Sequence, residues 1–281
     1  MRHRFGQLSV WVLAGALAAF AAAAVAGEVE DKGRAVLEKN QKAVVTVQMV
    51  IKQKFSAGGM GSQENESKEE ATGFVIDPSG LTVLALSSTD PSGFLDNMMS
   101  SMGDMGDKFK MESNLGDVKL LLDDGTELPA QVVLRDKDMD LAFVRPTAKP
   151  AEPMAFVDLS KPGEAQVLDP LIALNRLGKV ANRACSASIE HVQAVVRKPR
   201  TFYIPGNDPT HSGLGSPVFA LDGNLVGVIV LRSIKGERQG PMAMMGGMGG
   251  NMVAIVIPVP DIKEAADQAP QASEAKPEDK K

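Results

Sequence analysis

Tight-turn signals recur through this chain at short intervals and leave room only for short strands between them. Asp77-Pro78-Ser79-Gly80, Asp123-Asp124-Gly125-Thr126 and Leu221-Asp222-Gly223-Asn224 each carry residues suited to chain reversal, and the last is a strong hairpin signal. Between them apolar residues alternate with polar ones: Val45, Val47, Met49 and Ile51 point one way, Thr46, Gln48 and Lys52 the other. Strands are predicted over 43–52, 73–76, 81–86, 117–122, 128–134 and 140–145. After a Pro- and Ala-rich pause at 146–153 come further strands over 170–175, 184–196, 216–221, 225–232 and 251–257. Residues 56–70, rich in Gly, Ser and Glu, lack apolar residues to bury and are predicted as a surface loop. Two similar halves of short strands imply two small antiparallel barrels or a sandwich pair.

The ends of the chain carry different signals. Arg2, His3 and Arg4 precede an apolar run from Leu8 to Ala23, and Ala24-Val25-Ala26 supplies the small residues of a cleavage site, so residues 1–26 are predicted as a signal peptide. Export to the periplasm or beyond the cell is the expectation. No Cys stands at the cleavage site for a lipid, and a membrane tether is expected only if the segment stays uncleaved. Residues 27–42 read as an N-terminal helical segment, 43–149 as the first barrel, 150–263 as the second barrel with a closing helix, and 264–281 as a charged, disordered tail. A net charge of −5 gives no sign of a nucleic-acid partner. One Cys, Cys185, cannot bridge within its own chain and is read as a small buried residue.

Three segments in order resemble the trypsin-like double barrel, specifically the HtrA/Deg branch of exported bacterial serine peptidases. They are 71–84 (ATGFVIDPSGLTVL), 121–133 (LLDDGTELPAQVV) followed by Asp136 and 140–144 (DLAFV), and 215–228 (GSPVFALDGNLVGV). The run 252–258 (MVAIVIP) is similar to the family's closing strand. The resemblance implies an all-β fold of two six-stranded antiparallel barrels with a short N-terminal and a C-terminal helix. Nothing after Lys263 is long enough for the PDZ module of many relatives.

Hydrolysis by such a fold needs a hydroxyl to attack, an imidazole to take its proton and a carboxylate to hold the imidazole. Counted along the family pattern, the carboxylate is Asp140, but the imidazole position falls at Ser87 and the nucleophile position at Leu214. A serine hydroxyl cannot act as the base at neutral pH, and leucine has no nucleophilic atom. A fallback register with two inserted residues makes Ser212 the nucleophile, still without a base. Of the histidines beyond the signal, His191 and His211 both belong to the second half. The resemblance therefore implies a pseudoprotease that binds a protein or peptide partner and needs no cofactor. The alternative is an atypical serine endopeptidase using Ser212. In the carboxylate's remaining role, Asp140 accepts a hydrogen bond from Ser87 or Ser88.

Ten of the 15 methionines fall in two short stretches. Met99, Met102 and Met105 recur every third residue, and Met242, Met245 and Met248 sit among glycines. Thioether sulfur is a soft ligand, so a second alternative is a periplasmic Cu(I)-binding module. The plainer expectation is an adaptable apolar surface without metal.

Overall fold

The computed structural model describes residues 27–57, 62–89, 109–206, 213–233 and 252–270. A helix, α1, spans residues 27–40. The first barrel follows, built from β1 (Val44–Ala57), β2 (Ser62–Val75), β3 (Thr82–Ala85), β4 (Phe109–Leu121), β5 (Glu127–Asp136) and β6 (Leu141–Pro146). The second comprises β7 (Pro170–Arg176), β8 (Cys185–Val196), β9 (Phe202–Pro205), β10 (Pro217–Phe219), β11 (Leu225–Ser233) and β12 (Met252–Pro258), closed by helix α2 (Val259–Ala266). Both barrels are closed and antiparallel, in the orders β1-β2-β3-β6-β5-β4 and β10-β11-β12-β9-β8-β7. Closed barrels, not a sandwich pair, are thus the architecture.

The alternation seen in the sequence explains the packing. Val45, Val47, Met49 and Ile51 of β1 meet Leu84, Leu120, Ala142 and Val144 inside the first barrel. Leu171, Ala173, Val192, Val226, Ile229 and Val256 fill the second. Their strand neighbours point outward and are buried too: Val83, Leu141 and Phe143 of the first barrel pack with Ile172, Leu174, Val228 and Ile255 of the second in one seam core. Strands covered on both faces read as continuous apolar runs, as in Leu225–Leu231. Burying each such aliphatic side chain contributes about 1.5–3 kcal/mol. α1 and α2 cover the seam with Val36 and with Val259, Ile262 and Ala265. In α1, Gly33 lets the helix close on Ile172, whose Cδ1 would stand 3.1 Å from an added Cβ. Among the described residues no helix is long and apolar enough to cross a membrane.

Two sequence expectations are corrected. Of the loop expected over 56–70, residues 56–57 end β1 and 62–70 belong to β2, in register from Val44↔Phe74 to Ser56↔Ser62, while 58–61 lie outside the described residues. Pairing needs only backbone groups, so the exposed polar residues Glu64, Glu66 and Lys68 do not prevent it. Cross-strand contacts help, with Gln48 donating to Glu70 at 3.1 Å and Lys52 3.7 Å from Glu66. The second correction is β9, a four-residue strand too short for its periodicity to show, which pairs with β8 and β12.

Polar groups stitch the apolar seam at several places, among them Thr72 with Asn175, Glu70 with Arg183 and two more. One is Arg176 at the end of β7, whose side chain is 5% exposed. Its Nε donates to the Val44 carbonyl at 2.7 Å, Nη2 to the Gln41 carbonyl at 2.7 Å, and Nη1 to the Asp123 carboxylate at 2.7 Å and the Arg183 carbonyl at 3.1 Å. The other is Asp140.

Candidate functional site

Asp140 closes the turn between β5 and β6 with φ of 56°, in the left-handed region. The turn is shaped by Asp136, whose carboxylate accepts the Asp138 and Met139 N–H groups at 3.0 Å. Opposite lies a 3-10 turn, Leu86–Ser88, that ends β3 and is closed by the Thr89 N–H and hydroxyl on the Leu86 carbonyl, both at 2.8 Å. The two turns are joined through backbone as well, since Leu86 N–H donates to the Asp140 carbonyl at 2.9 Å.

The Asp140 carboxylate accepts three hydrogen bonds. Ser87 N–H donates to Oδ1 at 2.7 Å and Ser87 Oγ to Oδ2 at 2.9 Å. Leu231 N–H, from β11 of the second barrel, donates to Oδ2 at 3.0 Å. All three donors are neutral. Burial pushes the carboxyl up from its ordinary 3.8 to about 6, with the three hydrogen bonds pulling the other way. The arrangement holds a carboxylate against a hydroxyl that has no capacity to accept a proton at neutral pH.

Across the seam the chain returns through residues 213–216. Gly215 has φ of 80°, and a Cβ there would stand 2.1 Å from the Thr72 carbonyl oxygen of β2, so only glycine fits. Gly215 N–H donates to the Ile229 carbonyl at 2.8 Å, and Ile229 N–H to the Ser216 carbonyl at 3.0 Å. The Ser216 hydroxyl donates to Asn175 Oδ1 at 3.4 Å, an oxygen that also accepts from the Thr72 hydroxyl. Leu214 is half-buried and packs against both the seam core and the core of the second barrel.

A sequence model of the trypsin-like peptidase domain matches residues 71–228, more than half the chain. The chain belongs to the trypsin-like peptidase domain family. No curated protein matches it. Within this trypsin-like peptidase domain the match begins in β2, beside Thr72, and ends in β11 at Val228, so it takes in Ser87, Asp140 and Leu214.

Ser87 and Asp140, set opposite one another by the family resemblance, are brought together in the structure. Leu214 joins the apolar packing of the seam and of the second barrel. His191 stands exposed on β8, paired with Pro170, and no hydrogen bond or ion pair links it to Asp140. Ser212, His211 and the six methionines Met99, Met102, Met105, Met242, Met245 and Met248 lie outside the described residues. Among the described residues no group of three or more His, Cys, Asp or Glu side chains is placed to hold a metal. Cys185 is half-buried, and burial raises its thiol pKa, which makes it a poor nucleophile. Sequence reasoning missed Leu231, whose contribution is a backbone N–H and leaves no side-chain signal. Asn175 stands out as a polar residue directly after the apolar run Leu171–Leu174, whereas Thr72, in the polar strand β2, carries no such signal.

Proposed function

We propose that this chain is an exported, HtrA/Deg-like pseudoprotease that acts by binding a protein or peptide rather than cutting one. The observation that carries the reading is the pair of bonds from Ser87 to Asp140, at 2.7 and 2.9 Å, where a peptidase needs an imidazole. With Leu231 N–H at 3.0 Å, the carboxylate has a donor set that leaves it no base to orient. Loss of the serine or the histidine of such a triad costs on the order of a million-fold in turnover, as measured for subtilisin, so a relic site has no useful hydrolytic rate. An apolar side chain at 214 supports the same conclusion, because Leu214 offers no attacking atom. The HtrA/Deg assignment rests on the three sequence segments, and export on the first 26 residues.

A fluorophosphonate probe tests the reading. The full chain is expected to resist stoichiometric labelling under conditions that saturate an active trypsin-like enzyme. Labelling that disappears in Ser212→Ala would instead establish the atypical endopeptidase.

A further inference from the structure

β1 and β2 run on past the first barrel as a paired ribbon, in unbroken register out to Ser56↔Ser62, with β4 on the far side of β1 as far as Ala57↔Phe109. Among the described residues the second strand partner of β2, β3, meets it at Gly73, Phe74 and Val75 alone. The Val75 N–H donates to the Ala43 carbonyl at 2.8 Å, so odd-numbered residues of β2 turn their backbone groups towards β1 and even-numbered ones away from it. Near the barrel those outward groups are covered. Phe74 pairs with Val83 of β3, and the Thr72 carbonyl oxygen lies against Gly215, 2.1 Å from where a Cβ would stand. Further out, Glu64, Glu66 and Lys68 are exposed and face no strand among the described residues. Such a row of unpaired N–H and C=O groups is a template for another strand.

Charge decides which strand. A row of one sign would keep two copies of this edge apart, but here Glu66 and Lys68 flank the neutral Ser67. Antiparallel pairing of two copies about a two-fold axis at Ser67 puts each Glu66 opposite the other copy's Lys68, on one face of the sheet and with both backbones facing the partner. An axis at Glu66 or at Lys68 would bring like charges face to face instead. Glu64 then falls opposite Glu70, whose charge Arg183 offsets at 2.5 Å, a hydrogen bond that holds the Glu70 carboxyl below the usual range. Lys68 makes no ion pair with another described residue, and Glu66 has a 3.7 Å contact with Lys52 in which both side chains are more than half exposed. An exposed pair of that kind is weak, which leaves Glu66 available to a second chain.

We propose that β2 pairs with β2 of a second copy of this chain, antiparallel about Ser67, joining two three-stranded ribbons into one six-stranded sheet. The same edge is used on both sides, so the assembly closes as a dimer. It is independent of whether the chain cuts peptides.

Sedimentation velocity of the full chain across a concentration series tests this. A reversible monomer–dimer equilibrium is expected. Glu66→Lys and Lys68→Glu each set like charges opposite one another twice and should weaken the dimer at least about tenfold. An equimolar mixture of the two variants restores both opposite-charge pairs and should return a heterodimer of about wild-type affinity. Glu66→Pro removes an outward N–H that β1 does not use, and should abolish the dimer while circular dichroism shows the monomer folded. A chain that stays monomeric up to about 100 µM, or a dimer indifferent to all three substitutions, overturns the proposal. So does a mixture that associates no more tightly than the single variants.

Discussion

Two of the seam's polar stitches solve the same problem with opposite charges and unequal success. At one, the second barrel sends the Arg176 guanidinium across the seam to the Gln41 and Val44 carbonyls and the Asp123 carboxylate, while the Arg183 carbonyl of its own barrel holds it from behind. At the other, the first barrel buries the Asp140 carboxylate, and the second returns one neutral N–H, from Leu231. Arg176 has a counter-ion; among the described residues Asp140 has none, and burial lifts its pKa to about 6. The difference separates a stitch with its own counter-charge from one whose carboxylate is met by neutral donors.

Removing the counter-charged stitch should have the largest effect. Arg176→Met leaves the Gln41 and Val44 carbonyls unpaired in the seam, and the expected loss is about 3–5 kcal/mol in urea unfolding. A loss under about 1 kcal/mol would mean that the stitch is decorative.

The Asp140 stitch should show itself through pH. Its folded pKa of about 6 lies above the ordinary 3.8, so the unfolded state releases the proton first as pH rises. Asp140 therefore adds most stability below pH 4, and that contribution falls as pH rises towards 6 and is gone above it. The stability of wild type relative to Asp140→Asn should fall by about 2.4 kcal/mol between pH 4 and pH 7, measured by urea unfolding at each pH.

Ser87→His tests the missing cation directly. An imidazolium beside the carboxylate should draw the Asp140 transition down by about one pH unit, and peptidase activity should stay absent because Leu214 is unchanged. The smallest effect belongs to Asp123→Asn. Asp123 is 40% exposed, so loss of its charge should cost under about 1 kcal/mol, the carbonyls continuing to hold Arg176.

Much of this was legible in the sequence. The period of two in Val45–Ile51 and the turn at Asp77–Gly80 fix where strands lie and which face is buried. The Ser87–Asp140 pairing is what the resemblance to the trypsin-like pattern implies, and the two turns bring those side chains together. What did not show has physical reasons. Residues 62–70 pair through backbone, to which composition is blind. Leu231 acts through an amide that every residue has. Arg176 reads as one charge after an apolar strand, and only the docking of two barrels gives it Gln41, Val44 and Asp123.

The most direct test is the titration of the Asp140 carboxyl itself, followed by ¹³C NMR and assigned with Asp140→Asn. A relic carboxylate faced by Ser87 predicts one step near pH 6, with no coupled histidine step. A carboxyl titrating below its ordinary 3.8, coupled to a histidine such as His211, would place a cation on Asp140 and contradict the pseudoprotease account.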